Sequence, residues 1–550
     1  MDCVGEENHM FVTMESPDWV GIKTERGFMT GPFRPDGDYG GILLETENSE
    51  KRTDIFLTAG EEAAEWLIFR WKQSFPRDSR FLGDAWERGY GEMEWRCLNA
   101  NRAMPWYFMV WNPNVLLCYG VMTNPSAMCF WEADAEGMTL YMDVRCGGEG
   151  VRLRGRRLHA ASVIARKYAD CSAFEGAKAF CAEMCPSPVF PDGPVYGGNN
   201  WYYAYGKSSY EEFLRDTDYL TTLTKGCRNP PYMVLDDGWQ VLANNPDAPP
   251  EGGGGPWHAG NLPFPDMAKL AGEVTARGAR PGIWIRPLKD DVSPFSPEWR
   301  LPHTNCLDPS HPEALKHIVS NIQTVCAWGY RLVKYDFVTF DLFGKWGFEM
   351  TPSVAAKGWH FYDRSMTSAE VVRRLYQAIY ETTKPFQAAL IGCNAIGHLG
   401  AGYFHINRVG DDISGKEWER TRKMGVNSLA FRLCQHNAFY HADADCVGIT
   451  DAIPWELNRQ WADVVARTGT PLFISVDRAV LNEGQQRELA AILEIASEQR
   501  HHAYPMDWMS NACPREWRDG EEILRYRWHT PVCPGFVCPT EWEVKQLPGG

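Results

Sequence analysis

The sequence predicts an α/β protein: a (β/α)8 TIM barrel, with an N-terminal β-sandwich before it and a short C-terminal β-rich region after it. Three observations lead there. Residues 1 to about 188 read as short alternating segments, such as Gly41–Thr46 and Met138–Val144, between Gly, Pro, Asn and Asp turns. The stretch Cys185–Pro194 then carries four prolines in ten residues, as a linker would. Beyond it, strand-like runs alternate with helix-like ones, the pattern of a parallel sheet with crossovers. The expected boundaries are 1–188 for the sandwich, 195–497 for the barrel and 498–550 for the tail.

The barrel elements follow in order. Val195–Trp201 is the first strand. Ser209-Tyr-Glu-Glu212 is a capping box opening a helix over Phe213–Leu223. Tyr232–Leu235 is the second strand, and Met267, Leu270, Ala271 and Val274 keep helical spacing after it. Gly282–Ile285 is the third strand, followed by a helix marked by Leu315, Ile318, Val319 and Ile322. Leu332–Asp336 is the fourth, before a helix from Ser368 to Thr382. Ala389–Cys393 and His405–Val409 are the fifth and sixth, and Leu429–Tyr440 leads to the seventh. Pro471–Ser475 is the eighth, with Glu483–Ser497 as its helix. An open doubly wound sheet is the competing arrangement. No Gly-x-Gly-x-x-Gly follows the first strand, and Gly252–Gly255 has no Lys-Ser/Thr after it, so nucleotide-loop signatures are missing.

Composition narrows the function classes. The 550 residues are 44% hydrophobic and 23% charged, ordinary for a globular chain. A net charge of −16 with no strongly basic run argues against a nucleic-acid partner. No apolar run reaches the length of a membrane span, and Met1–Glu7 lacks a basic-then-apolar leader, so a cytoplasmic location is expected. The 17 cysteines are odd in number and scattered. The nearest pairs, Cys181/Cys185 and Cys533/Cys538, lack zinc-knuckle spacing, so buried thiols are expected and no metal. The 23 tryptophans suit proteins that stack pyranose rings, although they also fill cores.

Polar and aromatic residues gather at the expected C-terminal strand ends: Trp201, Asp236, Asp237, Trp239, Trp284, Lys334, Asp336, Cys393, Arg408, Asp411 and Asp412. In a (β/α)8 barrel those ends form the active face. Asp336 has the makings of a nucleophile. Lys334 lies two residues before it on one strand, so both side chains point to one face, and a nearby ammonium favours the ionised carboxylate.

Leu235-Asp-Asp-Gly-Trp-Gln240 with Val333-Lys-Tyr-Asp336 resembles glycoside hydrolase family 36, in the α-galactosidase clan. Gly282-Ile-Trp284, Leu307-Asp-Pro-Ser-His-Pro-Glu313, Gly392-Cys393, Arg408-Val-Gly-Asp-Asp412 and Asp443-Ala-Asp-Cys446 are similar to further family motifs, in the family's order. The resemblance covers about residues 195–480. It implies a retaining hydrolase of terminal α-D-galactosides that needs no cofactor, with a carbohydrate as its partner. The family's nucleophile falls on Asp336 and its general acid/base on Asp412. Asp411 is the neighbouring alternative, disfavoured by the Arg-x-Gly-x-Asp spacing. Asp236 and Asp237 would hold the 4- and 6-hydroxyls, and Lys334 the 3- and 4-hydroxyls. Trp201, Trp239 and Trp284 would contact the sugar, with Cys393 and Arg408 near the 2-position. Two adjacent strand residues point oppositely, so one of Asp236 and Asp237 could instead brace the barrel. Arg408 could equally pair with an aspartate.

Further expectations attach to this reading. Asp412 needs a proton before it can act as an acid, and Asp411 and Asp336 nearby would raise its pKa. Retention implies catalytic carboxyls about 5–5.5 Å apart. Arg286, where the family usually has a small residue, could recognise an acidic substrate. The long aromatic loop Phe337–Ser365 leaves the aglycone open. α-N-Acetylgalactosaminidase, transglycosylase and silent sugar-binding variants of the scaffold stay open too, as does homo-oligomerisation.

Overall fold

The computed structural model describes residues 9–11, 16–241 and 254–529. Met1–Glu7, Gly252 and Gly253, the Cys533/Cys538 pair and the tail from residue 530 lie outside the described residues. Two antiparallel sheets precede the proline-rich stretch. One runs Gly37–Asp38, Ile42–Asn48, Thr53–Ala59, Arg157–Ala169, Val115–Val121, Tyr107–Asn112, Arg80–Gly83 in spatial order, with His9–Phe11 beside Arg157–Ala169. The other runs Gly27–Pro32, Trp19–Thr24, Ala64–Lys72, Gly137–Asp143, Met128–Ala133, Met104–Pro105.

Their strands show the two-residue period that one buried face requires. Thr53–Ala59 buries Ile55, Leu57 and Ala59, and Ala64–Lys72 buries Leu67, Phe69 and Trp71. Phe108 of the first sheet meets Trp131 of the second at 5.6 Å between ring centroids, so the sheets pack face to face. A helix, Ala173–Met184, follows them, closed by a Ser172/Glu175 capping box. The sequence reading gave no helix there.

The rest of the chain builds a nine-stranded parallel sheet. Its strands are β1 (Tyr196–Asn199), β2 (Tyr232–Leu235), β3 (Arg280–Ile285), β4 (Leu332–Tyr335), β5 (Ala389–Gly392), β6 (Ile406–Arg408), β7 (His441–Asp443), β8 (Val447–Ile449) and β9 (Leu472–Val476). Nearly every residue in them is buried, as strands covered on both faces must be. β1 to β7 pair in sequence order; β8 pairs with β9, and β9 returns to pair with β1. Only Ala444–Cys446 separate β7 from β8. Where the sequence pointed to one seventh strand, the chain makes two short ones, one for each neighbour. Gly197 in β1 has φ 152, and a Cβ there would lie 1.8 Å from the Tyr232 carbonyl oxygen, so only glycine fits this approach to β2.

The helices start where their caps place them. Ser209 accepts from the Glu212 amide and opens Tyr210–Leu223. Thr367 and Glu370 form a reciprocal box before Ser368–Thr383, and Asn482 and Gln485 do the same before Glu483–Glu498. Trp455–Thr468, a helix the sequence reading passed over, joins β8 to β9. The described tail is a small antiparallel sheet of Tyr504–Pro505, Glu516–Asp519 and Glu522–Arg525. No described helix is long and apolar enough to cross a membrane.

Candidate active site

The C-terminal ends of the parallel strands carry three non-glycine residues in the left-handed region: Phe337 after β4 (φ 62), Asn394 after β5 (φ 48) and Asp445 between β7 and β8 (φ 77). Such conformations cost energy and persist where surrounding contacts impose them, commonly at functional sites. The turn at Phe337 brings its own amide onto Asp336 Oδ1 at 2.7 Å. The other oxygen, Oδ2, accepts from the Trp284 indole at 3.0 Å. Two directed donors therefore hold Asp336 in one orientation, with its side chain still partly accessible.

Lys334 departs from expectation. Its ammonium reaches across to β2 and hydrogen-bonds Asp236 Oδ2 at 2.8 Å, with both side chains buried. Burial would push the Lys334 pKa down, but Asp236, with Asp336 further off, outweighs it and holds the ammonium well above its ordinary value. Asp236 also accepts from Asn199 Nδ2 at 2.6 Å, which makes it the brace between β1, β2 and β4. Its neighbour Asp237 is less buried, accepts from Gln240 at 2.6 Å, and titrates at about 6 because burial opposes its charge and Asp236 and Asp336 repel it. Both lie just past the end of β2, where the Asp237 amide donates to Asp236 Oδ1 at 2.9 Å, and the turn leaves Asp236 buried in the brace and Asp237 the more accessible carboxylate.

The tryptophans divide too. Trp201 is not in β1. The Asn199 side chain accepts from the Trp201 amide at 2.8 Å, ends the strand and starts a short helix, Trp201–Ala204, which leaves the indole partly exposed. Trp239 is completely buried among Trp257 and Trp328, and its N–H is spent on the Trp284 carbonyl at 2.8 Å. It supports the strand that carries Trp284 and has no face to offer a sugar. Trp284 is itself almost fully buried, and what it presents is its N–H to Asp336.

Arg408 is buried at the end of β6 and divides its donors among three carboxylates: Asp412 Oδ1 at 3.1 Å, Asp443 Oδ2 at 3.3 Å and Asp445 Oδ1 at 2.6 Å. Cys393 is fully buried after β5. Burial and the Asp336 charge push its thiol well up, against the opposing pull of Arg408, Lys334 and Arg88. Arg286 is buried and already paired. Its guanidinium forms a buried fork with Asp341 at 2.6–3.2 Å and lies 4.2 Å over the Phe337 ring, so the charge expected to greet an acidic substrate is already neutralised.

Asp412 overturns a second expectation. Burial would raise its pKa, but the guanidinium groups of Arg88 and Arg408 prevail and hold it below the usual carboxylate range. Its neighbour Asp411 is tied to Arg88 at 3.0 Å and to Arg420 at 2.9 Å. Asp412 is the more exposed of the two, with 47% of its side chain accessible against 17%.

The sequence reading missed the segment Asp84–Arg96 altogether. It leaves the antiparallel sheets and inserts into the strand ends. Gly89 donates to the Val409 carbonyl at 2.8 Å, and the Asp411 amide donates to Gly89 at 2.9 Å. A Cβ at Gly410 would sit 2.3 Å from the Met424 carbonyl oxygen, so glycine is needed to seat this contact. Glu87 is wholly buried and accepts from both Asn394 (2.7 and 3.0 Å) and the Gly347 amide (3.1 Å), with Tyr90 on the same oxygen. Trp86-Glu-Arg-Gly-Tyr90 carries no helical or strand period; its only local signal is charge and aromaticity between glycines. Among the described residues no group of three or more His, Cys, Asp or Glu side chains is placed to hold a metal ion.

No family model and no curated protein sequence matches the chain. Solved structures do. An α-galactosidase from Thermus thermophilus, in complex with p-nitrophenyl α-D-galactopyranoside, superposes with a TM-score of 0.58 and 18% identity over 88% of this chain and 97% of its own. A family 36 α-galactosidase from Geobacillus stearothermophilus, in complex with stachyose, gives 0.58 and 14% over 92% of this chain and 79% of its own. An α-galactosidase from Lactobacillus brevis gives 0.59 and 12% over 92% and 74%. The chain has the fold these α-galactosidases share, antiparallel sheets and parallel sheet together.

Proposed function

We propose that this protein is a retaining exo-acting glycoside hydrolase that releases terminal non-reducing α-D-galactose by double displacement. The observation that carries the reading is Asp336, held in one orientation at a strand end by the Trp284 indole and the Phe337 amide. The likeness in fold to α-galactosidases supports it. On this reading the nine-stranded sheet is the wall of a closed (β/α)8 barrel, with β7 and β8 serving together as its seventh strand.

In the first half-reaction the Asp336 carboxylate attacks the anomeric carbon, and the bond to the leaving oxygen breaks as Asp412 gives that oxygen a proton. In the second, Asp412 takes a proton from water, which displaces Asp336. Directed donors at Asp336 suit a nucleophile that must stay ionised and aimed. Asp237, the more accessible carboxylate in the turn after β2, is the one suited to accept sugar hydroxyls, and charge-assisted bonds of that kind distinguish axial from equatorial groups. Of Trp201, Trp239 and Trp284, Trp201 is the one left partly accessible for a sugar ring.

Turnover of aryl α-galactosides by wild type and Asp336→Gly tests the reading, with the product configuration followed by NMR. The expected result is α-galactose from the wild type, and loss of activity in Asp336→Gly that added azide partly restores. Near-normal turnover by Asp336→Gly alone, or β-galactose as first product, would overturn it.

A further inference from the structure

We propose that Arg88, delivered from the antiparallel half of the protein, is a positioning residue that sets the protonation of Asp412 and thereby the alkaline limit of the reaction. The inference rests on the reading of Asp412 as acid/base.

The geometry is specific. Arg88 Nη2 lies 3.0 Å from Asp411 Oδ1, and Nη1 lies 3.5 Å from Asp412 Oδ1. The guanidinium thus spans the two carboxylates, and only 5% of its side chain is exposed. Its stem cannot wander: Gly89, the next residue, is bonded to the backbone on either side of Gly410. The guanidinium also lies over the Tyr90 ring at 5.7 Å and the Trp346 ring at 5.8 Å, with Glu87 at 3.6 Å from Nε. A buried cation so confined keeps its charge close to one oxygen of Asp412.

The other groups around Asp412 come from several elements. Arg408 on β6 meets the same oxygen, Oδ1, at 3.1 Å. Lys334 on β4 and Arg420, the last residue of the short helix Trp418–Arg420, add positive charge, while Asp445 between β7 and β8 opposes it. Tyr202, on the helix after β1, and Asp411 complete the surround. Both guanidinium groups crowd Oδ1, and Oδ2 makes no hydrogen bond among the described residues. Oδ2 is therefore the oxygen left to exchange a proton with a leaving group or water.

Two consequences follow for the two half-reactions. A guanidinium beside the carboxyl favours its ionised form. That form is the base the second half-reaction needs, and it is the wrong form for the first. Arg408 cannot be the adjustable member, because it is buried against Asp443 and Asp445 as well. Arg88 pairs with Asp411 and Asp412 on one side and with Glu87 on the other and makes no ion pair with Asp443 or Asp445, so its charge can be removed while Arg408 keeps its place.

The test is the pH dependence of kcat/KM, whose alkaline limb reports the acid in the free enzyme. The full chain is assayed with raffinose, a poor leaving group that needs the proton, and with p-nitrophenyl α-galactoside, which needs it less. In Arg88→Met the alkaline limb on raffinose moves up by about one pH unit, and by less on the aryl substrate. Arg88→Lys, which keeps the charge, leaves the limb near its wild-type position. Arg88→Gln, retaining a polar end, repeats the Met result and replaces it if Arg88→Met does not fold. A limb that stays put while turnover falls equally at every pH would make Arg88 a structural strut and overturn the inference. So would the same shift in Asp411→Asn, which loosens the contact but leaves the cation. Wild type that turns over neither galactoside overturns the functional reading and this inference together; active wild type with an unmoved limb overturns this inference alone.

Discussion

The indole N–H of Trp284 meets Asp336 Oδ2 at 3.0 Å, while the amide of the next residue, Phe337, meets Oδ1 at 2.7 Å. One carboxylate is thus clamped from β3 and from its own turn. A charge-assisted bond of this kind contributes about 1.5–3 kcal/mol. Trp284→Phe keeps an aromatic ring and removes the donor together with part of the indole's volume. Turnover should fall about 10- to 100-fold, with the folded CD spectrum retained. Steady-state kinetics on an aryl galactoside decide; a change within twofold would mean that Phe337 alone suffices.

The buried Lys334–Asp236 pair predicts a stability effect separate from catalysis. Lys334→Met leaves Asp236 charged and without its cation, which costs about 3–5 kcal/mol. The folded pKa of Lys334 is raised, so its contribution is complete below the unfolded lysine value of about 10.4 and is lost only as pH rises through the still higher folded value. Chemical denaturation of wild type and variant at neutral pH should show the full gap. Equal stability of the two proteins at neutral pH would contradict this.

Asp237 predicts a loss in the same direction, with rising pH, in a lower window. Its folded pKa, about 6, lies above the unfolded value, so the folded state holds the proton longer. Stability from this group is present below about pH 4 and declines as pH rises to about 6, then levels. Asp237→Asn should remove that decline. Thermal midpoints measured across this window, in wild type and variant, give the comparison.

Arg286 predicts damage to the fold and no change in selectivity. Arg286→Ala strands Asp341, which is buried and bonded to it through both oxygens. The expected loss is about 3–5 kcal/mol, and Arg286→Met with Asp341→Leu should recover most of it. Relative rates on charged and neutral galactosides should be the same in every variant that folds. A selective loss on charged substrates would restore the role first read for Arg286.

What the sequence disclosed and what it hid separate along physical lines. β2 and β4 were read to within a residue because they are short apolar runs ending in Asp, and the helix at Ser368 because Thr367 and Glu370 announce it locally. Asp336 and Asp412 were selected by motif spacing. Their partners were not. Lys334 shares a strand with Asp336, yet its long side chain finds Asp236 on the next strand but one, a choice set by three-dimensional distance. Trp239 reads like Trp284 in sequence, and only packing buries one and aims the other. Glu87, Arg88 and Tyr90 lie more than three hundred residues from Asp411, in a stretch with no period to reveal where it docks.

The short backbone bridge between Gly89 and Gly410 has a consequence for how this protein can be rebuilt. The proline-rich stretch around Cys185–Pro194 invites a cut, and a chimera joined there would look conservative on paper. It would graft a foreign Asp84–Arg96 counterpart onto the loop that holds Asp411 and Asp412. The heritable unit of this site is therefore a discontinuous one: the strand ends together with a peptide encoded far upstream. Recombination that respects the linker but ignores that peptide should yield soluble hybrids whose pH optimum belongs to neither parent.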